Sequence, residues 1–385
     1  MEAILMALLA SAVTGNGISE EQKAAITTEN IPSLFRLAKK HDLLHLVAAA
    51  LERNGLALDE GLQERCFQYQ TAALLRYEQS QYALEELSAF FVTNKIPYIP
   101  LKGAVIRCYY PEPWMRTSCD LDILVPENMV EQTAALMEKE LGYRRRDKTY
   151  HDVSLMSPLG VHVELHFNIK ENMDNIDSLL GRVWEFATPE NEGTACRVLT
   201  PEYQLFHLLA HMSYHFVHGG CGVRTVLDWW VLNRSFDYDA VKLKEMCESA
   251  GIARFCEAVD ALSHGWFDAK PLSDLCVQMQ AFILYGGVYG NLENRIAVQR
   301  ADKTERKGKG QYILARAWLP LSELRTSYPI LEKYPVLQPF CQLARWVSAI
   351  KSGRIKKSVT EIKVNDTVSQ ERLTETSALL DALGL

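Results

Sequence analysis

The sequence predicts an α/β (α+β) protein: a small mixed β-sheet core over residues 94–200, flanked by a helical region over 1–93 and a helical domain over 201–385. Three observations carry this. Apolar residues recur at helical spacing up to residue 93 and again after residue 200. Between these stretches the pattern changes to short apolar runs bounded by proline and glycine. Those runs follow the order strand, helix, strand, helix, strand, strand, which suits a small sheet with helices laid against it.

The first twelve residues form an apolar run that imitates the core of a signal peptide. Glu2 precedes the run and the first basic residue is Lys23, so the positive n-region is missing and a buried helix is expected. Ser19, Glu20, Glu21 and Gln22 have the spacing of a capping box. Leu34, Leu37, Ala38, His41, Leu44, Val47 and Ala48 predict one helix, stopped at Asn54-Gly55. A longer helix runs through Ala72, Leu75, Tyr77, Tyr82, Leu84, Leu87 and Phe91.

Residues 96–101 are apolar and proline-bounded, which predicts a buried strand. Lys102-Gly103 follows, then a short helix over 104–110, broken by Pro111 and Pro113. Residues 120–125 form a second strand, residues 129–141 an amphipathic helix ending at Gly142, and residues 153–156 and 161–167 two strands joined by a hairpin turn over 157–160. Helices are predicted over 201–218 and 223–234. Residues 303–310 form a charged, glycine-containing loop, and the polar stretch from about residue 358 is expected at the periphery.

With 48% hydrophobic and 23% charged residues, the chain has the composition of a soluble globular protein. A net charge of −7 disfavours long nucleic acid as a partner, since no basic excess exists to neutralise a phosphate backbone. The nine cysteines include no Cys-x-x-Cys pair, which argues against a zinc ribbon or a disulfide framework and for a reducing cytoplasm. No apolar stretch approaches the ~20 residues needed to span a bilayer.

The chemistry concentrates in three places. In a strand alternate side chains share a face, so Asp120 and Asp122 project to one side while Leu121 turns inward. Packing does not reward two adjacent anions; a divalent cation does. Asp-x-Asp pairs are common on surface loops, but this one opens the apolar run Ile123-Leu124-Val125. In residues 161–167, alternation puts His162, Glu164 and His166 on one face. A solvent-facing strand edge would give the same pattern; beside the two aspartates, Glu164 completes a three-carboxylate set. Lys102-Gly103 sits where a strand passes into a helix, a place where backbone N–H groups and a lysine can meet phosphate.

These segments together resemble a known family. Leu101-Lys102-Gly103, Tyr110-Pro111 with Pro113, Arg116 through Val125, Leu141-Gly142-Tyr143 and Val163-Glu164-Leu165-His166 are similar to the uncharacterised bacterial nucleotidyltransferases, a branch of the DNA polymerase β-like superfamily. The motif-bearing part spans roughly residues 94–168, and its order and spacing are more specific than any single piece. The superfamily usually opens its first helix with Gly-Gly or Gly-Ser; here Lys102-Gly103 is followed by Ala104.

The resemblance implies a metal-dependent enzyme that moves an NMP from an NTP, with ATP favoured, to a hydroxyl acceptor and releases pyrophosphate. Asp120, Asp122 and Glu164 would be the catalytic and metal-binding residues, holding Mg²⁺ or Mn²⁺, with Glu164 a possible general base. Two ions about 4 Å apart would activate the acceptor and hold the leaving group. Lys102, Gly103, Arg116, His211 and His215 would bind nucleotide, Arg116 alternatively bracing its loop. A small-molecule acceptor is favoured over a protein, a peptide or an RNA end, and no membrane partner is expected.

His207, His211, His215 and His218 fall within an arc of about 80° on a helix. They would line the pocket; a dedicated metal site, and with it a histidine-site hydrolase, is the competing reading. A second alternative keeps the fold without turnover, as an antitoxin-like or other non-catalytic nucleotide-binding protein. Arg224 and Asp228 stand four apart and are expected to pair. Trp229-Trp230 reads as core, and Arg144-Arg145-Arg146 as a solvated charge run.

Overall fold

The computed structural model describes residues 1–56, 58–191 and 193–301, and beyond them 318–321, 324–325, 328, 330–351, 364–365 and 367–385. The predicted 303–310 loop lies outside the described residues.

The N-terminal run forms α1 (Glu2–Thr14), which buries Leu5, Leu8 and Leu9 completely. Each such leucine contributes about 1.5–3 kcal/mol by leaving water. The capping box starts α2 (Glu20–Ala24): Gln22 donates its backbone N–H to Ser19 and returns its side-chain oxygen to the Ser19 N–H. The expected single helix after residue 34 is two, α3 (Ile31–Lys40) and α4 (Leu44–Arg53). Asp42 lies between them at φ 55°, a left-handed conformation that a short polar side chain tolerates and a helix does not. The long helix is α5 (Glu60–Thr93), started by the Asp59 carboxylate, which accepts the Leu62 N–H.

The four predicted strands and a fifth, over the triple-arginine run, form one sheet. Its members are β1 (Ile99–Pro100), β2 (Asp120–Leu124), β3 (Arg144–Lys148), β4 (Asp152–Met156) and β5 (His162–His166), in the order β1-β2-β5-β4-β3. Strands β2 and β5 run parallel; the other pairs are antiparallel, so the sheet is mixed. The first strand is shorter than expected, two residues long. The triple-arginine run is a strand, not a simple charge run: it forms the exposed outer edge, where charges discourage pairing with other chains. Helix α6 (Gly103–Ile106) follows β1, and α7 (Val130–Leu141) ends at Gly142, whose φ of 70° needs glycine.

Alternation gives the sheet two different faces. Leu121, Ile123, Val153, Leu155, Val163 and Leu165 point to one side and pack with the C-terminal half of α5 and with α7. The other side carries the polar residues of β2 and β5 and faces helical layers.

Those layers are α8 (Asp174–Leu180), the small hairpin β6 (Ala187–Pro189) and β7 (Arg197–Leu199), then α9 (Pro201–Val217), α10 (Val223–Ser235), α11 (Ala240–Ser249), α12 (Ala253–Phe267), α13 (Asp274–Gly286) and α14 (Leu292–Ala301). Thr200 caps α9 and Pro201 occupies its first turn. Trp229 and Trp230 are core residues as expected, with their indole N–H groups donated to Asp260 and Asp268. Residues of α1, α3 and α4 share a continuous core with α9 to α13. The expectation of a peripheral C-terminus fails for 370–383: that helix buries Leu379, Leu380 and Leu383, an apolar stripe its overall polarity conceals. The fold is thus an α+β core of mixed sheet with helical flanks at both ends.

Candidate functional site

Between the polar face of the sheet and the α9–α10 layer lies a cavity of about 350 Å³. The sequence-predicted residues Lys102, Gly103, Arg116, Asp120, Asp122, Glu164, His211 and His215 all line it. His207 lines it too, whereas His218 does not; its imidazole bonds the Tyr214 carbonyl at 2.7 Å.

Register builds the sheet wall. In the parallel β2–β5 pair, Asp122 stands opposite Glu164 and Asp120 opposite His162. Asp122 is 2% exposed. Its Oδ1 accepts from Lys102 Nζ at 2.9 Å and from His166 Nε2 at 2.9 Å. The same His166 nitrogen lies 3.4 Å from Glu164 Oε2. Ligand atoms of Asp122, Glu164 and His166 all fall within 4.8 Å of one another; Asp120 stands outside this tight trio. His166 is a residue that the sequence reading placed on the correct face without giving it a role; the β5 alternation was the available signal.

Charge follows contact. Burial works against the Asp122 carboxylate, but Lys102 and His166 hold it well below the usual carboxyl range. Lys102 is itself raised, its burial outweighed by Asp122. The His166 hydrogen bond lowers Glu164. Burial, then the charge of Asp122, raises Asp120. No hydrogen bond or ion pair to the Asp120 carboxylate is found among the described residues. A half-buried carboxylate left unpartnered beside two more anions is a poor arrangement for packing and a good one for a hard divalent cation, so the donor set fits such an ion.

Lys102 occupies a special backbone position. At φ 48° it precedes the four-residue helix α6. A side chain there costs about 1–3 kcal/mol. From this position the ammonium reaches Asp122. Gly103 is also fixed by space: a Cβ at this position would meet the Ser118 Cβ at 2.9 Å.

One predicted pairing is corrected. Asp228 does not pair with Arg224. It accepts from Arg116 Nε at 2.7 and 2.9 Å and from the Tyr110 hydroxyl at 2.8 Å. Arg224 instead reaches Asp42 at 3.3 Å and the Thr117 carbonyl at 3.2 Å. Helix α10 turns both side chains toward the loop before β2, so each finds a partner more than a hundred residues away instead of its helical neighbour. Arg116 therefore braces that loop.

The helix wall has its own network. His211 Nδ1 lies 2.6 Å from Glu171 Oε1, and His211 Nε2 lies 3.1 Å from His215 Nε2. Burial is the main cause that pushes His207, His211 and His215 down to about 3. Glu171 was not anticipated, because it belongs to an irregular segment with no periodic pattern.

A mixed sheet that sets buried carboxylates beside a strained lysine–glycine turn defines a nucleotidyltransferase-type core. The family model of the uncharacterised nucleotidyltransferases matches residues 27–268, more than half of the chain, and the chain belongs to that family. No curated protein matches the sequence. The matched residues include the sheet wall and the α9–α10 wall of the cavity. Among the described residues no helix is long and apolar enough to cross a membrane.

Proposed function

We propose that this protein transfers an NMP unit from an NTP, with ATP the favoured donor, to a hydroxyl of an acceptor, and releases pyrophosphate. The observation that carries the reading is the placement of Asp122 directly opposite Glu164 across β2 and β5, beside the Lys102 ammonium. Asp120, Asp122 and Glu164 would hold Mg²⁺ or Mn²⁺, with His166 orienting the latter two. The bound ions would supply Lewis-acid activation of the α-phosphorus and charge neutralisation of the leaving pyrophosphate.

The chain's own residues do the rest. Lys102 has an ammonium to share with phosphate oxygens, and Gly103 offers its backbone N–H to them. Arg116, paired with Asp228, fixes the loop that delivers Asp120. The α9 wall, with His211 and His215, faces the sheet and closes the space where the donor and a small acceptor would meet. A cavity of about 350 Å³ favours a small-molecule acceptor or one protruding side chain over long nucleic acid.

The test is incubation with each labelled NTP, Mg²⁺ or Mn²⁺ and a low-molecular-weight cell extract, followed by mass spectrometry for NMP adducts. Adduct formation that disappears with EDTA and in Asp122→Ala supports the reading. Undiminished transfer by Asp122→Ala and Glu164→Ala overturns it.

A further inference from the structure

The transfer proposed above must remove a proton from the acceptor hydroxyl, and the sheet carboxylates are poorly placed to take it. Asp122 already accepts from Lys102 and His166, and Glu164 faces the same His166 nitrogen. In the proposed reading the remaining oxygens of both are committed to the cation. The opposite wall of the cavity is different. Glu171 Oε1 lies 2.6 Å from His211 Nδ1. A carboxylate can only accept, so Nδ1 carries the hydrogen, and in the neutral ring the lone pair is on Nε2. That atom turns away from Glu171 and toward His215 Nε2 at 3.1 Å, which therefore donates to it. A carboxylate that fixes one imidazole nitrogen while the other faces a substrate space is the arrangement of an oriented general base.

Resting on the nucleotidyltransferase reading, we infer that His211 is the general base for the acceptor, that Glu171 positions it, and that the acceptor hydroxyl binds against α9. The hydroxyl displaces the His215 N–H from His211 Nε2. Its proton passes to Nε2, its oxygen forms a bond to the α-phosphorus, and the bond from that phosphorus to the bridging oxygen breaks. The electron pair leaves with pyrophosphate. The resulting imidazolium is stabilised by the Glu171 carboxylate. The charged groups that face His211 from other elements are Glu171, Lys102, Asp122, Glu164 and His166, with His207 and His215 on its own helix. Burial first, and then Lys102, keeps His211 low in the free protein. Phosphates of a bound NTP would neutralise Lys102 and move the imidazole up, toward the range where it accepts a proton.

The experiment combines turnover with a readout that needs none. NMP incorporation from labelled ATP with Mg²⁺ is measured with the extract as acceptor source. His211→Ala is expected to lower kcat by about 10²–10⁴-fold at a KM for ATP within about three-fold of wild type, with partial rescue by added imidazole. Glu171→Gln should lower kcat by about 10-fold or more at unchanged KM. His218→Ala, at the C-terminal end of the same helix but outside the cavity, should keep kcat near wild type. In parallel, ¹⁵N NMR of the histidine-labelled full chain should show His211 protonated at Nδ1 and bare at Nε2, with that preference weakened in Glu171→Gln. Wild-type turnover by His211→Ala, while Asp122→Ala is dead, overturns the base and leaves the nucleotidyltransferase reading standing. Equal losses at His211 and His218 also overturn the assignment to His211. An Nε2–H tautomer at His211 overturns it even without turnover. Retained transfer in Asp122→Ala would strike the underlying reading instead.

Discussion

Replacing Asp228 by alanine should be among the most damaging changes in this protein outside its apolar core. The Asp228 side chain is 2% exposed and that of Arg116 10%. Two donors converge on the carboxylate, the single Nε–H of Arg116, shared between both oxygens, and the Tyr110 hydroxyl. Removing one partner of a buried pair costs about 3–5 kcal/mol, because the remaining charge stays desolvated. Tyr110 would also lose its acceptor, adding about 1–3 kcal/mol if no water replaces it. The expected loss is therefore about 4 kcal/mol or more, a large share of the roughly 5–15 kcal/mol that holds a typical domain. Urea unfolding followed by circular dichroism measures it. Asp228→Asn, which keeps an acceptor oxygen, should lose less and remain foldable. In the cycle of Arg116→Met with Asp228→Ala, the double variant should be more stable than the sum of the single losses by at least about 1.5 kcal/mol. A loss below about 1 kcal/mol in Asp228→Ala, or additive behaviour in the cycle, would refute the claim that this pair is desolvated and braces the loop before β2.

Other predictions concern the site and pH. Lys102→Gly relieves the strain at φ 48°, worth about 1–3 kcal/mol, but strips Asp122 of its ammonium, worth about 3–5 kcal/mol; calorimetry should show net destabilisation, and titration weaker ATP binding. Gly103→Ala drives a Cβ to 2.9 Å from the Ser118 Cβ and should displace the loop, costing about 1–3 kcal/mol and weakening nucleotide binding; wild-type affinity would count against the close packing. His45 is buried, donates Nε2–H to the Met115 carbonyl at 2.8 Å, and is pushed down to about 4 by burial. The unfolded imidazole titrates near 6.5, so above that pH the contribution is fully present, and it is lost as pH falls from about 6.5 to 4. The magnitude is about 3 kcal/mol. Unfolding midpoints in urea measured across that window should drop steeply, and His45→Gln should flatten the slope by about one proton.

Much of the fold was legible because it rests on short-range rules. The capping box at Ser19, the stop at Gly142 and the hairpin over 157–160 are set by residues a few positions apart, and each forms as read. The break at Asp42 was not legible, since the apolar spacing continues through it unaltered while one left-handed residue redirects the chain. The burial of the C-terminal helix was not legible for the opposite reason: a mostly polar segment buries just enough leucine on one side.

The sequence by itself determined that Asp120 and Asp122 share a strand face, that Glu164 and His166 share another, and that a lysine–glycine turn precedes them. These are consequences of a two-residue period and of local backbone chemistry. Only the tertiary structure decided which groups meet. It set Glu164 opposite Asp122, gave Asp228 to Arg116 instead of Arg224, and brought Glu171 onto His211. Those pairings depend on how the helical layers settle on the sheet through burial of the two cores. That is a balance over the whole chain, and no local spacing records it.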